Sequence, residues 1–299
     1  MTIREAKLRG AAALGAGRIE SAALDAALLL AEVLNTGATG LIVRGEEPLS
    51  GADLSRYERL LERRLAGECI AYILGRKEFY GLEFRVTDRV LVPRADTEIL
   101  AETALQEIRH IMDAGMDASE GPLVLDLCTG SGVLAITLKH ECPTAVVWAS
   151  DISGAAVAVA ARNAERLLPP WGIHFAEGSL FEPFRNPSAG RPRRFNVIVS
   201  NPPYIPSAEI EHLAPEVRRE PRLALDGGRD GLELIEKIIA DAGEHLLPEG
   251  RILLEADPRQ MYNITEILRN NGFENIEVFR DLAGQERVIG GTAPFSVKT

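Results

Sequence analysis

The 299-residue sequence has few cysteines, few aromatic residues and no long apolar run. Its three cysteines form no Cys-x-x-Cys pair, and an odd number in so long a chain indicates reduced thiols in a cytosol rather than a disulfide scaffold. The longest apolar stretches, such as residues 22–31, are too short and interrupted to cross a bilayer. The N-terminus, MTIREAKLRG, lacks the apolar segment of a secretory signal. We therefore expect a cytoplasmic protein that does not enter the membrane.

Basic residues and histidines are also scarce. The 33 lysines and arginines are outnumbered by 44 aspartates and glutamates, which gives a net charge of −11. Because phosphate neutralisation supplies most non-specific affinity for nucleic acid, this balance argues against a dedicated DNA or RNA binder. The five histidines show neither His-x-x-x-His spacing nor clustering with cysteine, so no metal site is predicted.

The sequence divides into an N-terminal part with helical patterns and a longer part in which predicted strands and helices alternate. Apolar residues at helical spacing predict helices over 3–14, 21–34 and 51–65, with Ser21 and Ser50 as N-caps. Alternating apolar residues over 79–93 predict a β-hairpin. We thus expect a helical domain over 1–76, a hairpin linker over 77–94 and a third region over 95–299. The arginine-rich stretch 185–194 is interpreted as a solvated loop or a partner contact.

The third region alternates short apolar segments with helical ones. This pattern predicts an α/β fold with a doubly wound, mainly parallel sheet, whose ligands lie at the carboxyl ends of the strands. The predicted strands cover 123–127, 146–150, 172–175, 195–200, 251–255, 276–279 and 287–289.

The first of these strands ends in the turn DLCTGSG, where glycines allow a tight bend and close approach of a ligand. Asp151, at the end of the next strand, can accept hydrogen bonds from ribose hydroxyls. These two features fit either a dinucleotide or S-adenosylmethionine. Asp126 favours the second, since a carboxylate would repel a pyrophosphate but attract the amino group of a methionine moiety. Cys128 is interpreted as a small packing residue rather than a nucleophile.

The sequence NPPY follows directly after the predicted strand 195–200. Each proline fixes its own φ and restricts the residue before it, so the turn holds its carbonyl groups in defined directions. The side-chain oxygen of Asn201 and the backbone oxygen of Pro202 can each accept one N–H of a planar amino group, while Tyr204 packs against its flat face. Such an arrangement suits methyl transfer to nitrogen by positioning, without a general base.

The combination of DLCTGSG, Asp151 and NPPY resembles class I S-adenosylmethionine-dependent amino-methyltransferases, which have a seven-stranded sheet. Two further segments, IAYILGRKEFYGLEFRVTDRVLVPRADTEIL (70–100) and EPRLALDGGRDGLELIEKII (220–239), are similar to the protein-(glutamine-N5) methyltransferases of peptide chain release factors. The resemblance covers essentially the whole chain. It implies methylation of the glutamine in a Gly-Gly-Gln motif, in support of translation termination, and a helical domain that helps to engage the protein substrate.

The resemblance also implies roles for individual residues. Asp151 would hold the ribose, Leu180 would lie beside the adenine, and residues 201–204 would grip the glutamine amide. The turn residues Cys128, Thr129, Gly130, Ser131 and Gly132 would wrap the methionine part of the donor, next to Asp126, and Asn201 is also expected to contact the donor. The amide would be held by Asn201, Pro202, Pro203 and Tyr204. Many members have glycine at the position of Cys128, aspartate at that of Ser179 and a glycine-containing pair at 256–257.

Other functions remain open at this stage. Modification of a ribosomal-protein glutamine would use the same chemistry. An N6-adenine methyltransferase would need a basic groove beside NPPY, for which the candidates are Arg185, Arg191, Arg193, Arg194, Arg218 and Arg219. An NAD-dependent oxidoreductase agrees with the glycine spacing but leaves Asp126 and NPPY unexplained, and a non-catalytic donor-binding scaffold would bind without turnover.

Overall fold

The computed structural model describes residues 1–114, 121–170, 172–185 and 192–293. Residues divide into two compact units: Met1–Arg76 with Ala214–Arg219, and Lys77–Leu213 with Glu220–Thr299. The chain thus leaves the second unit and returns to it within a short segment after NPPY. The three-part domain division expected from sequence stays a prediction.

The first unit is built from helices. They are α1 (Ile3–Ala16), α2 (Ala22–Val33), α3 (Ala38–Val43), α4 (Gly51–Leu65) and α5 (Ile70–Leu74). The apolar face of α4 packs onto α2, where the buried Tyr57 hydroxyl donates to the Ala26 carbonyl over 3.0 Å. A buried ion pair, Arg64–Asp25 at 2.7 Å, joins the same two helices. Arg64 also forms an ion pair with Glu216, in the segment Ala214–Arg219 of the same unit, at 3.3 Å.

The predicted helices agree with α1, α2 and α4, and two short helices were missed. Ser50 caps α4, because its extended backbone lets the hydroxyl accept from the Asp53 N–H at 3.1 Å. The cap at Ser21 was wrong: its ψ of 17° is not extended, and its side chain makes no capping hydrogen bond. α3 and α5 contain six and five residues, too few to show a helical period.

The hairpin lies earlier than expected. Its strands are β1 (Arg76–Phe79) and β2 (Leu82–Arg85), joined at Tyr80 and Gly81, which both have positive φ. Residues beyond Arg85 form no strand up to α6 (Thr97–Asp113). The apolar side chains of Val86, Val90 and Val92 are nevertheless buried, so their alternation indicated burial rather than a strand.

The second unit contains a seven-stranded sheet in the described part of the chain, which confirms the predicted fold class. Its strand order is β5-β4-β3-β6-β7-β9-β8, with β9 antiparallel to both of its neighbours and the other pairs parallel. The strands are β3 (Leu123–Leu127), β4 (Val146–Asp151), β5 (Ile173–Glu177), β6 (Phe195–Ser200), β7 (Leu246–Glu255), β8 (Glu274–Arg280) and β9 (Glu286–Thr292).

Helices cover both faces of this sheet. α6, α7 (Val133–Glu141) and α8 (Gly154–Leu167) share one apolar cluster with alternate residues of the central strands. α9 (Glu233–His245) and α10 (Met261–Asn270) share the other. Strand order reverses at β3, because β4 and β5 lie to one side of it and β6 and β7 to the other. A ligand crevice is expected at the carboxyl ends of the strands beside this switch point.

Within the residues described, no helix is long and apolar enough to cross a membrane, and no cluster of His, Cys, Asp and Glu could hold a metal ion. Most of the arginine-rich stretch, residues 186–191 with the candidate Arg191, lies outside the described residues.

Candidate active site

A cavity opens at the carboxyl ends of β3, β4 and β6, where the fold predicts a ligand. It has about 850 Å³ of empty space, part of it open to solvent, and its wall is more apolar than polar. Among the predicted site residues, those that line it are Cys128, Gly130, Asp151, Leu180, Asn201 and Pro203. The volume and the mixed wall are typical of a small-molecule site.

The turn after β3 forms one side of the cavity. Gly132 has a φ of 85°, and its N–H donates to the Thr129 carbonyl at 2.8 Å before α7 begins. A side chain at Gly132 would lie 2.9 Å from Ile136 Cδ1 and 3.0 Å from Ala160 Cβ, so helix packing requires glycine there. Cys128 has a φ of 60°, a conformation that favours glycine. Its backbone therefore adopts the left-handed turn despite the side chain.

Asp126 lies beneath this turn and is fully buried. Its Oδ2 accepts from the Thr129 hydroxyl at 2.6 Å and the Ala135 N–H at 3.2 Å. Within the described structure its Oδ1 has no hydrogen-bond partner. Burial raises the pKa of Asp126 to about 7 against the lowering effect of these two bonds. Asp126, Thr129, Ser131 and Gly132 thus shape and support the turn, and the predicted contact of Asp126 with a donor amino group stays a prediction.

Asp151 connects the turn to the end of β4. One carboxylate oxygen accepts from the Gly130 N–H and the other from the Ser153 N–H, both at 2.9 Å. Burial raises its pKa, and the two backbone hydrogen bonds oppose that effect. Each carboxylate oxygen retains a further lone pair, so Asp151 can still accept from the two hydroxyls of a ribose.

The far end of the cavity is formed by the segment after β5. Leu180 has a φ of 46° and its side chain lines the cavity. Ser179, where the family commonly has aspartate, also lines it, and its N–H donates to Glu182 Oε2 at 3.3 Å. An apolar side chain beside a polar backbone is suited to the flat face of an adenine.

NPPY follows β6, whose predicted bounds agree with the observed strand. Asn201 and Pro203 line the cavity, and the Asn201 Nδ2 donates to the Thr97 hydroxyl at 3.1 Å. None of the described residues donates a hydrogen bond to Asn201 Oδ1 or to the Pro202 carbonyl oxygen. Both predicted acceptors are therefore available to a ligand N–H. Tyr204 packs against the apolar cluster of α9 and α10 and does not line the cavity.

Several residues of the site could not be assigned from sequence. Gln260 Nε2 donates to the Tyr204 carbonyl at 3.0 Å and to the Asp230 carbonyl at 3.2 Å. Gly231 has a φ of 78°, and any Cβ there would overlap the Tyr204 carbonyl oxygen. The DGGRDG segment thus packs backbone to backbone against NPPY, which explains why it needs glycine.

Two more segments meet near NPPY. Glu220, from the EPRLA segment, is buried, accepts from the Val92 N–H at 2.9 Å and pairs with Arg94. Thr97, at the start of α6, contacts Asn201, and the buried Glu255 at the end of β7 lies beside both. The segments on which the family resemblance depends therefore converge on one site.

The residues present fit S-adenosylmethionine. The cavity combines an acid able to bind ribose at Asp151 with an apolar wall at Leu180. Beneath the turn that borders it, buried Asp126 retains an unpartnered carboxylate oxygen in the described structure. A Cβ at Gly130 would meet nothing within 4 Å, so the backbone of the turn is open to a ligand.

The sheet order and this cavity define the class I methyltransferase fold. The catalytic domain of hMettl16, solved in complex with MAT2A 3′UTR hairpin 1, superposes with a TM-score of 0.56 at 13% identity, covering 87% of this chain and 88% of that one. At this identity the likeness concerns the fold alone.

Sequence comparisons identify the family. Residues 5–75 match the model of the PrmC N-terminal domain, and residues 106–217 match the methyltransferase small domain. The release factor glutamine methyltransferase of Burkholderia pseudomallei is 43% identical over 91% of this chain and 92% of its own length. That of Geobacter sulfurreducens is 40% identical over 91% and 90%. The chain belongs to the release factor glutamine methyltransferase family. Membership confirms the predicted family, the methyltransferase class and S-adenosylmethionine as the methyl donor.

Proposed function

We propose that this protein methylates the side-chain amide nitrogen, N5, of the glutamine in the Gly-Gly-Gln motif of peptide chain release factors. The observation that carries the proposal is the state of the NPPY turn. Asn201 Nδ2 is held by Thr97, while Asn201 Oδ1 and the Pro202 carbonyl have no donor among the described residues. These two acceptors match the two N–H groups of a primary amide.

The chemistry follows from this pairing. S-adenosylmethionine supplies an electrophilic methyl group, and the amide nitrogen is a weak nucleophile because its lone pair is delocalised. Asn201 and Pro202 accept both amide protons, which favours positive charge on the nitrogen as the new bond forms. Pro203 and Asn201 also line the donor cavity, so the same turn holds the nitrogen next to the methyl group. The nitrogen loses its extra proton to water after the methyl group has left the donor sulfur, so no carboxylate is assigned as a general base.

The charges around the site favour a protein over a nucleic acid as substrate. Of the arginines that could form a basic groove, Arg185 pairs with Asp241 at 2.6 Å and Arg193 lies 4.1 Å over the Trp148 ring. Arg219 donates to the Ala66 carbonyl. These arginines are already engaged within the protein, which weakens the case for an adenine substrate.

The relatives' names support release factors as the protein substrate, and the match over residues 5–75 supports a role for the helical unit in engaging them. A release factor works with cytoplasmic ribosomes, so we also propose a cytoplasmic location.

In the test, the protein and labelled S-adenosylmethionine are incubated in parallel with purified release factor, with ribosomal proteins and with an adenine-containing oligonucleotide, and methylation of each is measured. We expect methylation of the release factor alone. The matched variant Asn201→Ala should keep donor affinity and lose methyl transfer by a factor of about 10², the usual cost of one transition-state hydrogen bond. Methylation confined to ribosomal protein or oligonucleotide would overturn the proposal, and near-normal turnover by the variant would overturn the role of Asn201.

A further inference from the structure

Glu255 is a buried acid that the proposed chemistry does not use. It is the last residue of β7 and only 1% exposed. β6 and β7 pair in parallel with Ser200 opposite Leu254, so Asn201 and Glu255 come next in register. Val199 and Leu253, two residues earlier on each strand, both belong to the apolar cluster on the α6 face. Because side chains alternate along a strand, Asn201 and Glu255 point to that same face.

Thr97 stands where α6 meets these two strand ends. It is 2% exposed, and its hydroxyl oxygen accepts from Asn201 Nδ2 at 3.1 Å. Thr97 and Asn201 both lower the pKa of Glu255, which stabilises its charged form. Asn201 thus donates to Thr97, and both lie beside Glu255, whose buried Oε2 has no hydrogen-bond partner in the described structure.

This arrangement decides which way the Asn201 amide faces. A threonine hydroxyl can donate or accept, so Thr97 alone would accommodate either end of the amide. A carboxylate only accepts, so ionised Glu255 can take a proton either from the Thr97 hydroxyl, which must then accept from Asn201, or from the Asn201 amide itself. Both cases require the Nδ2 end of Asn201 on this side. The Oδ1 end is left for the substrate.

We infer that Glu255 and Thr97 are positioning residues that fix the Asn201 amide with Oδ1 towards the substrate amide. The inference rests on the proposed function, because it assigns that oxygen to the substrate. A flipped amide would present its NH2 group to the NH2 group of the glutamine, two donors that cannot pair.

The orientation of the Asn201 amide therefore depends on whether Glu255 is ionised. Burial, with a smaller contribution from the nearby Asp96, raises its pKa to about 7 against the lowering effect of Thr97, Arg287 and Asn201. The partly buried Tyr204 also interacts electrostatically with Glu255. Protonated Glu255 can donate to Thr97 and so removes the preference for one amide orientation. Activity should therefore fall as the pH decreases through about 7.

The first test compares threonine variants by kcat/KM for release factor at saturating donor. Thr97→Val should lower it about tenfold or more, the effect of losing a hydrogen bond that ends on a charged group, and Thr97→Ser should restore it to within about threefold. Thr103→Val is the matched control, since this buried threonine of α6 donates only to the Ile99 carbonyl of its own helix. It should retain full activity, and all three variants should retain donor affinity.

The second test is the pH profile of Glu255→Gln. The wild-type profile should rise through about pH 7, and the variant should lack this step and be about tenfold slower than wild type at higher pH. Saturating donor is essential because the pKa of Asp126 is also about 7 and its carboxylate is predicted to contact the donor. A Thr97→Val variant as active as Thr103→Val, or an unchanged pH step in Glu255→Gln, would refute the inference.

A readout without substrate separates this inference from the proposed function. The side-chain amide resonance of Asn201 in ¹⁵N-labelled protein, assigned with Asn201→Ala, should titrate near pH 7 and not titrate in Glu255→Gln. If the protein leaves release factor unmethylated but this titration is present, the proposed function fails and the orienting network stands. If methylation occurs and the resonance does not titrate, the proposed function stands and the network fails.

Discussion

We predict that the buried carboxylate of Asp126 makes donor binding dependent on pH. Its Oδ1 has no partner in the described structure, while Oδ2 is held by Thr129 and Ala135. Burial raises its pKa to about 7. If Oδ1 faces the amino group of the donor, binding requires the ionised form and releases a proton below this pKa. The perturbation is Asp126→Asn, which keeps the shape and removes the charge.

The magnitude follows from the ionised fraction. With a pKa of about 7, roughly one tenth of the protein is ionised at about pH 6 and roughly three quarters at about pH 7.5. An apparent Kd is the intrinsic Kd divided by the competent fraction, so the donor should bind about eight times more weakly at the lower pH. Asp126→Asn should bind the donor more weakly than the wild type at both pH values, with a Kd that does not change between them.

Isothermal titration calorimetry at the two pH values measures this directly. 5′-Methylthioadenosine, which lacks the amino acid part of the donor, is the matched control ligand and should bind equally at both. Equal pH dependence for the two ligands, or a wild-type pH dependence in Asp126→Asn, would refute the assignment of Asp126 to the amino group.

Three further predictions concern packing and reactivity. Gly132→Ala should lower the free energy of unfolding by about 2–4 kcal/mol in urea titrations, because a positive φ and two short contacts penalise the new Cβ; a loss below about 1 kcal/mol would contradict this. Asp25→Ala should cost about 3 kcal/mol by leaving the buried Arg64 without its closest partner, and no change in the urea midpoint would disprove it. Burial raises the pKa of Cys128 to about 12, so alkylation at about pH 8 should be roughly 10³ times slower than for a free thiol; rapid labelling would show otherwise.

The strands that could be predicted most closely are those with the plainest local signal. β3 and β6 agree with their predicted bounds, because each is a short apolar run that ends at a turn-forming sequence. β7 begins at Leu246, five residues before the predicted start at residue 251. The prediction began late because Pro248 and Gly250 are typical of a loop. The first residues of β7 still pair with β6 through a register shift that no local pattern indicates.

The parts of the candidate site that could be predicted are short motifs that each follow a strand end. The turn after β3, Asp151 and NPPY each follow a strand end, and the topology of a parallel sheet brings such positions together. The contact between Thr97 and Asn201 joins residues 104 positions apart and depends on how α6 lies on the sheet. Because side chains alternate along β3, the sequence predicts that Asp126 lies on the other face of the strand from Leu125 and Leu127. It does not indicate the hydrogen bonds that Thr129 and Ala135 donate to the buried Asp126.

Locating the methyl group on the substrate tests the proposed glutamine methylation. Release factor incubated with the protein and S-adenosylmethionine would be digested and the Gly-Gly-Gln peptide sequenced by tandem mass spectrometry, with Asn201→Ala in parallel. We expect one added methyl group on the glutamine side-chain amide with the wild-type protein and almost none with the variant. A methyl group on another residue, or an unmodified Gly-Gly-Gln glutamine beside a methylated ribosomal protein or oligonucleotide, would contradict it.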